Sequence, residues 1–143
     1  WQAYTRNAPP PSTAIPNSVA DVLAAVAVGL TDRLQPTTAD GTGHTEWANG
    51  HSHHSGFTTT LVPNTIVKFT FSGVDFDCDY ASRQEGSNTT LPSYSAVTAR
   101  SYHEGIVHAA FCDGAVKVIS ENIDRTVWRS LSTRSGGEVV VEF

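Results

Sequence analysis

Apolar positions change their period along the chain, and the changes mark the elements. The apolar run Val22–Leu30 follows Pro16-Asn17-Ser18, which offers a helix cap, so a short helix is predicted over 20–30, bracketed by Gly29 and Pro36. From Phe57 the spacing becomes that of strands. "FTTTLV" (57–62) ends at Pro63-Asn64, and "TIVKFTF" (65–71) ends at Ser72-Gly73. "VDFDCDY" (74–80) then alternates, with Val74, Phe76, Cys78 and Tyr80 on one face and Asp75, Asp77 and Asp79 on the other. "YSAVTA" (94–99) reads as a further strand. In 107–118, Val107, Ala109 and Phe111 precede Asp113-Gly114, and Val116 and Val118 follow. Asp-Gly between alternating runs predicts a hairpin with a two-residue turn, which sets Phe111 opposite Val116 and Ala109 opposite Val118 on one apolar face. His108, Ala110, Cys112, Ala115 and Lys117 fall on the other face. Ile123, Val127 and Leu131 recur at helical spacing beside Trp128, a core candidate, with Asn122 as the expected cap. "EVVVEF" (138–143) closes the chain as a strand. The fold class predicted is α+β: an antiparallel sheet with one or two short helices.

Ahead of these elements, residues 1–18 carry Pro9, Pro10, Pro11 and Pro16 and read as an extended, proline-rich lead-in. The expected globular unit is 19–143. No apolar run reaches the length of a membrane span. The net charge of −5 argues against a nucleic-acid partner, which needs a basic surface. Two lysines among many threonines, serines and asparagines lean towards an exported protein, in which Cys78 and Cys112 would pair as a disulfide.

Several groups could carry chemistry. Asp75, Asp77 and Asp79 on one strand face make calcium a candidate ligand, although Tyr80 and Gly86 stand where an EF-hand loop needs glycine and glutamate. Neutralisation by Arg83 or Arg100 is the alternative. His44, His51, His53 and His54 lie in a glycine-rich stretch and read as exposed loop histidines rather than metal ligands. Trp47 could offer a stacking platform for a sugar. His103-Glu104 followed by His108 approaches a zinc-protease motif. Its five-residue interval would set the two imidazoles about 140° apart on a helix, and the segment reads as a strand. No nucleophile elbow, P-loop or dinucleotide fingerprint is present.

His103, nine intervening residues and Asp113-Gly114 resemble the H-x9-D-G signature of prepilin-like proteins abundant in planctomycete bacteria. "SRQEG" (82–86), "YSAVTARSYHEG" (94–105), the C-terminal 121–143 and "GHTEWANGHSHHSGFTTTLVPNT" (43–65) extend the likeness to about two thirds of the chain. The resemblance implies a pilin-like globular head, related to type IV pilins and type II secretion pseudopilins, that here lacks its N-terminal apolar helix. It implies a non-enzymatic structural subunit of the cell envelope or exterior. Its partners would be like subunits or other pilin-like proteins in a filament, with membrane attachment only through the missing helix. His103, Asp113 and Gly114 would be structural, with the imidazole bonded to the hairpin backbone or a nearby carboxylate. An exported solute- or carbohydrate-binding module is the alternative, since an older family label likened such proteins to solute-binding proteins.

Overall fold

The computed structural model describes residues 2–6, 16–28, 48–81 and 94–138. The elements are β1 (Gln2–Arg6), α1 (Val19–Val28), α2 (Ser52–Ser55), β2 (Lys68–Phe71), β3 (Val74–Ala81), β4 (Ser95–Ala96), β5 (Ile106–Ala110), β6 (Val116–Ser120) and α3 (Arg125–Ser130). The fold class is α+β, as the periodicity predicts.

The first sheet is built on β3. β2 pairs antiparallel with its first half and β4 with its end, while β1 pairs in parallel along the other edge, Gln2 opposite Asp77 through Arg6 opposite Ala81. The sheet is thus mixed, and residues 2–6 of the predicted lead-in belong to it. Ser72 and Gly73, at φ 49° and 77°, join Phe71 to its partner Val74. A two-residue hairpin turn needs positive φ at both positions, and glycine adopts it without Cβ strain.

α1 starts where Ser18 and Asp21 cap reciprocally: Ser18 Oγ accepts from Asp21 N–H at 3.2 Å, and Asp21 Oδ2 accepts from Asn17 N–H at 3.0 Å. The Asn17 and Ser18 bonds hold the Asp21 carboxyl below its ordinary pKa. The helix lays Val22, Ala25 and Val26 on Val67, Phe76, Cys78 and Tyr80, forming the first core.

The second core lies under the β5–β6 hairpin. Val107, Ala109 and Ile119 pack with Ala99 and Trp128 of α3. Its turn differs from the expected one. Ala110 pairs with Val116, Ala109 with Lys117, His108 with Val118 and Val107 with Ile119. Phe111 N–H donates to the Ala115 carbonyl at 2.8 Å, leaving a three-residue loop, 112–114. Gly114 takes the left-handed conformation at φ 86°, and Asp113 Oδ1 accepts from Ala115 N–H at 2.9 Å. A one-residue change of register turns every side chain of a strand over. Ile119 therefore faces the core, while Val116 and Val118 are 65% and 54% exposed beside His108 and Ala110.

Two further differences have local causes. "FTTTLV" forms no strand, because threonine hydroxyls take the places of backbone partners: Thr58 N–H donates to the Val97 carbonyl at 2.7 Å, but Val97 N–H returns to Thr58 Oγ1 at 3.0 Å. α3 begins at Asp124 rather than Asn122, with Asp124 Oδ1 accepting from Thr126 and Val127 N–H at 2.8 and 3.1 Å. Residues 139–143 of the predicted last strand lie outside the described residues.

Candidate binding site

The three aspartates share one face of β3, as the alternation predicts, but their environments diverge. Asp75 is exposed, 2.6 Å from Lys68 Nζ and accepting from Thr70 Oγ1 at 2.6 Å, and these two bonds hold its pKa below the usual carboxylate value. Asp77 Oδ1 accepts from Val67 N–H at 2.8 Å, and Asp79 Oδ1 from Thr98 N–H at 3.0 Å. Side-chain oxygens thus replace backbone carbonyls where β2 has ended and β4 has not yet joined.

Arg100 closes this gap. Its Nε donates to Asp77 Oδ2 at 2.6 Å, Nη2 to Asp77 Oδ1 at 2.9 Å and Nη1 to Asp79 Oδ1 at 2.5 Å. The Asp77 pairing is bidentate, the strong geometry for guanidinium and carboxylate. Burial works against the Arg100 charge, but the hydrogen bonds and charges of Asp77 and Asp79 outweigh it and raise its pKa. Arg100 therefore supplies the counter-charge to Asp77 and Asp79, and Lys68 that to Asp75. Among the described residues no group of three histidine, cysteine or carboxylate side chains is arranged to hold a metal.

Around this triad opens a cleft of about 710 Å³, lined by Asn64, Ile66, Thr98, Ser101, Tyr102, His103, Glu104 and Glu121 as well as Asp77 and Arg100. Asn64 braces one wall, accepting from Ser101 N–H at 2.9 Å and donating to Glu121 Oε2 at 3.2 Å. Tyr102 stands fully exposed. His103 corrects the expectation of a hydrogen-bonded prop: only its backbone N–H is anchored, to Ser101 Oγ at 3.0 Å, and among the described residues its exposed ring makes no hydrogen bond. The ring stands edge-on to that of His108, centroids 6.1 Å apart, and so links the cleft to the outer face of the hairpin. Asp113 and Gly114 shape the hairpin loop, through the Ala115 N–H bond and the positive φ respectively.

The other candidates are dispersed. His53 and His54 sit in α2, 2% and 8% exposed with centroids 4.2 Å apart, and are not the exposed loop residues expected. His44 and Trp47 lie outside the described residues. Trp128 is core, as its helical neighbours imply. Tyr102 and Glu104 carry no sequence signal beyond proximity to His103, and Glu121 carries none.

No disulfide joins the cysteines. Cys78 is buried in the first core and Cys112 is exposed in the hairpin loop, so the two free thiols belong to different sheets. Burial, aided by the charges of Asp77 and Asp79, pushes the Cys78 thiol up to about 12. An alkylating reagent at pH 8 is expected to modify Cys112 and spare Cys78 until the protein unfolds; equal rates would contradict this burial. The folded state also holds the Cys78 proton more tightly than the unfolded one. Its contribution to stability is complete below pH 9.0 and is lost as pH rises towards about 12, which urea melts across that range can follow.

Fold and site together define a small α+β domain with two cores and an open polar cleft bordered by the half-buried Arg100 and Asp77. The chain belongs to the DUF1559 family (SBP_bac_10, "Protein of unknown function"), which matches residues 35–126, a span that contains every cleft residue and both the His103 and Asp113-Gly114 positions. No curated protein and no solved structure matches the chain.

Proposed function

We propose that this domain is a non-catalytic, exported surface subunit, a pilin- or pseudopilin-like head that assembles through lateral protein contacts in the cell envelope or outside it. The observation that carries the proposal is the outer face of the hairpin. Val116 and Val118 stand 65% and 54% exposed on it, across from Ala110 and His108. A solvent-facing side of an antiparallel ribbon ordinarily carries polar residues, and adjacent exposed apolar side chains mark a contact surface. Its partners are like subunits or other pilin-like proteins, in keeping with the resemblance carried by His103 and Asp113-Gly114. A photo-cross-linking residue placed at Val118 in the protein made by its own cell is expected to yield adducts with such subunits. Val116→Asp should remove them, and a complete lack of adducts would sink the assembly reading.

A second reading, a solute- or carbohydrate-binding module, is favoured by the cleft. Its volume of about 710 Å³ lies within the range of roughly 300–1,000 Å³ typical of small-molecule sites. Calorimetry against a glycan panel is expected to give heat that Tyr102→Ala abolishes; silence across the panel removes this reading.

A further inference from the structure

The face of α3 away from the cleft presents a different chemistry. Arg125 and Arg129, one turn apart, both direct Nη2 at a single neutral oxygen, Asn17 Oδ1. Both also reach the Thr60 carbonyl, at 3.4 and 3.3 Å. Among the described residues, neither is within ion-pair distance of a carboxylate; Asp21 senses Arg125 only through space. Among the described residues, the buried Arg125 Nε–H has no hydrogen-bond acceptor. Beside the pair runs a groove of about 430 Å³ lined by Pro16, Asn17, Thr59, Thr60 and Arg129, with the Thr59 hydroxyl 2.6 Å from that of Ser132.

Two guanidinium groups drawn to one amide oxygen repel each other, and like charges at this helical spacing destabilise a helix. Asp21 offsets Arg125 only through space, so an added negative group would complete the pair. We propose that Arg125 and Arg129 form a binding site for an oxyanion, a phosphate or a carboxylate, seated in the groove. The guanidinium forks supply charge-assisted donors. The site is independent of the cleft around Arg100 and of the assembly face.

Titration of the full chain with sodium phosphate, sodium acetate and sodium chloride at constant ionic strength, followed by melting temperature and calorimetry, tests the proposal. Phosphate or acetate is expected to raise the melting temperature where chloride does not. Tighter phosphate binding identifies a phosphorylated ligand, and equal or tighter acetate binding identifies a carboxylate. Either Arg125→Gln or Arg129→Gln is expected to weaken binding by about tenfold, the loss of one charge-assisted bond. Arg129→Lys keeps the charge but loses the fork, so it should retain the fold and bind with intermediate affinity. Equal effects of all three anions, or oxyanion binding untouched by Arg129→Lys and Arg129→Gln, would overturn it.

Discussion

Replacing Arg100 with methionine is expected to cost about 3–5 kcal/mol of folding stability, the usual consequence of stranding a buried charge by removing its partner. The residue left behind is Asp79, 1% exposed, whose Oδ1 would lose the guanidinium while still accepting from the Thr98 N–H. Asp77 would lose both arms of its bidentate pairing. The loss should appear as a lower midpoint in urea without a change in slope. Adding Asp77→Asn and Asp79→Asn to the methionine variant should recover part of it, because an apolar or neutral set of similar shape avoids the stranded charge. A single Arg100→Met variant that melts like the parent would show that the triad is not the fastening between β2, β4 and the cleft.

Trp128→Ala is expected to have a comparable effect, about 3–5 kcal/mol, since truncating a buried tryptophan leaves a large cavity. Trp128 is 1% exposed at the centre of the second core. Its ring stacks on Phe57 with centroids 5.5 Å apart, and its indole N–H donates to the Leu61 carbonyl at 2.9 Å. That bond matters because Leu61 belongs to the first core while its neighbour Val62 packs against the second. Trp128→Phe should restore much of the packing but leave the Leu61 carbonyl without its donor, giving an intermediate loss. The order parent, phenylalanine, alanine in thermal unfolding checks both parts of the argument.

These two variants also separate what could be read from residue order from what could not. Trp128 was legible as core because Ile123, Val127 and Leu131 recur at helical spacing and Trp128 lies alongside them. The alternation of β3 was legible for the matching reason: the strand period is two, and one face is buried. Arg100 carried only a hint. Its role depends on β2 ending and β4 beginning on the same edge of β3, which leaves Asp77 and Asp79 to act as acceptors.

The hairpin shows the limit most plainly. Asp113-Gly114 announces a reversal of direction, but the pair suits both a two-residue turn and a three-residue loop with glycine in the left-handed position. Local geometry does not choose between them. The choice is made by which side chain of β6 packs against Val107, Ala99 and Trp128, and Ile119 rather than Val118 does so. That single step of register exposes Val116 and Val118 and so creates the face on which the assembly proposal rests. Likewise, the burial of His53 and His54, the free state of two cysteines in separate sheets, and the convergence of Arg125 and Arg129 on Asn17 join residues distant in the chain. Periodicity along the sequence therefore establishes the elements and their inward faces, because side-chain direction repeats with the backbone. Which faces meet, and which polar groups are left to complete one another, follows from packing between elements, where competing registers differ by contacts that no local pattern encodes.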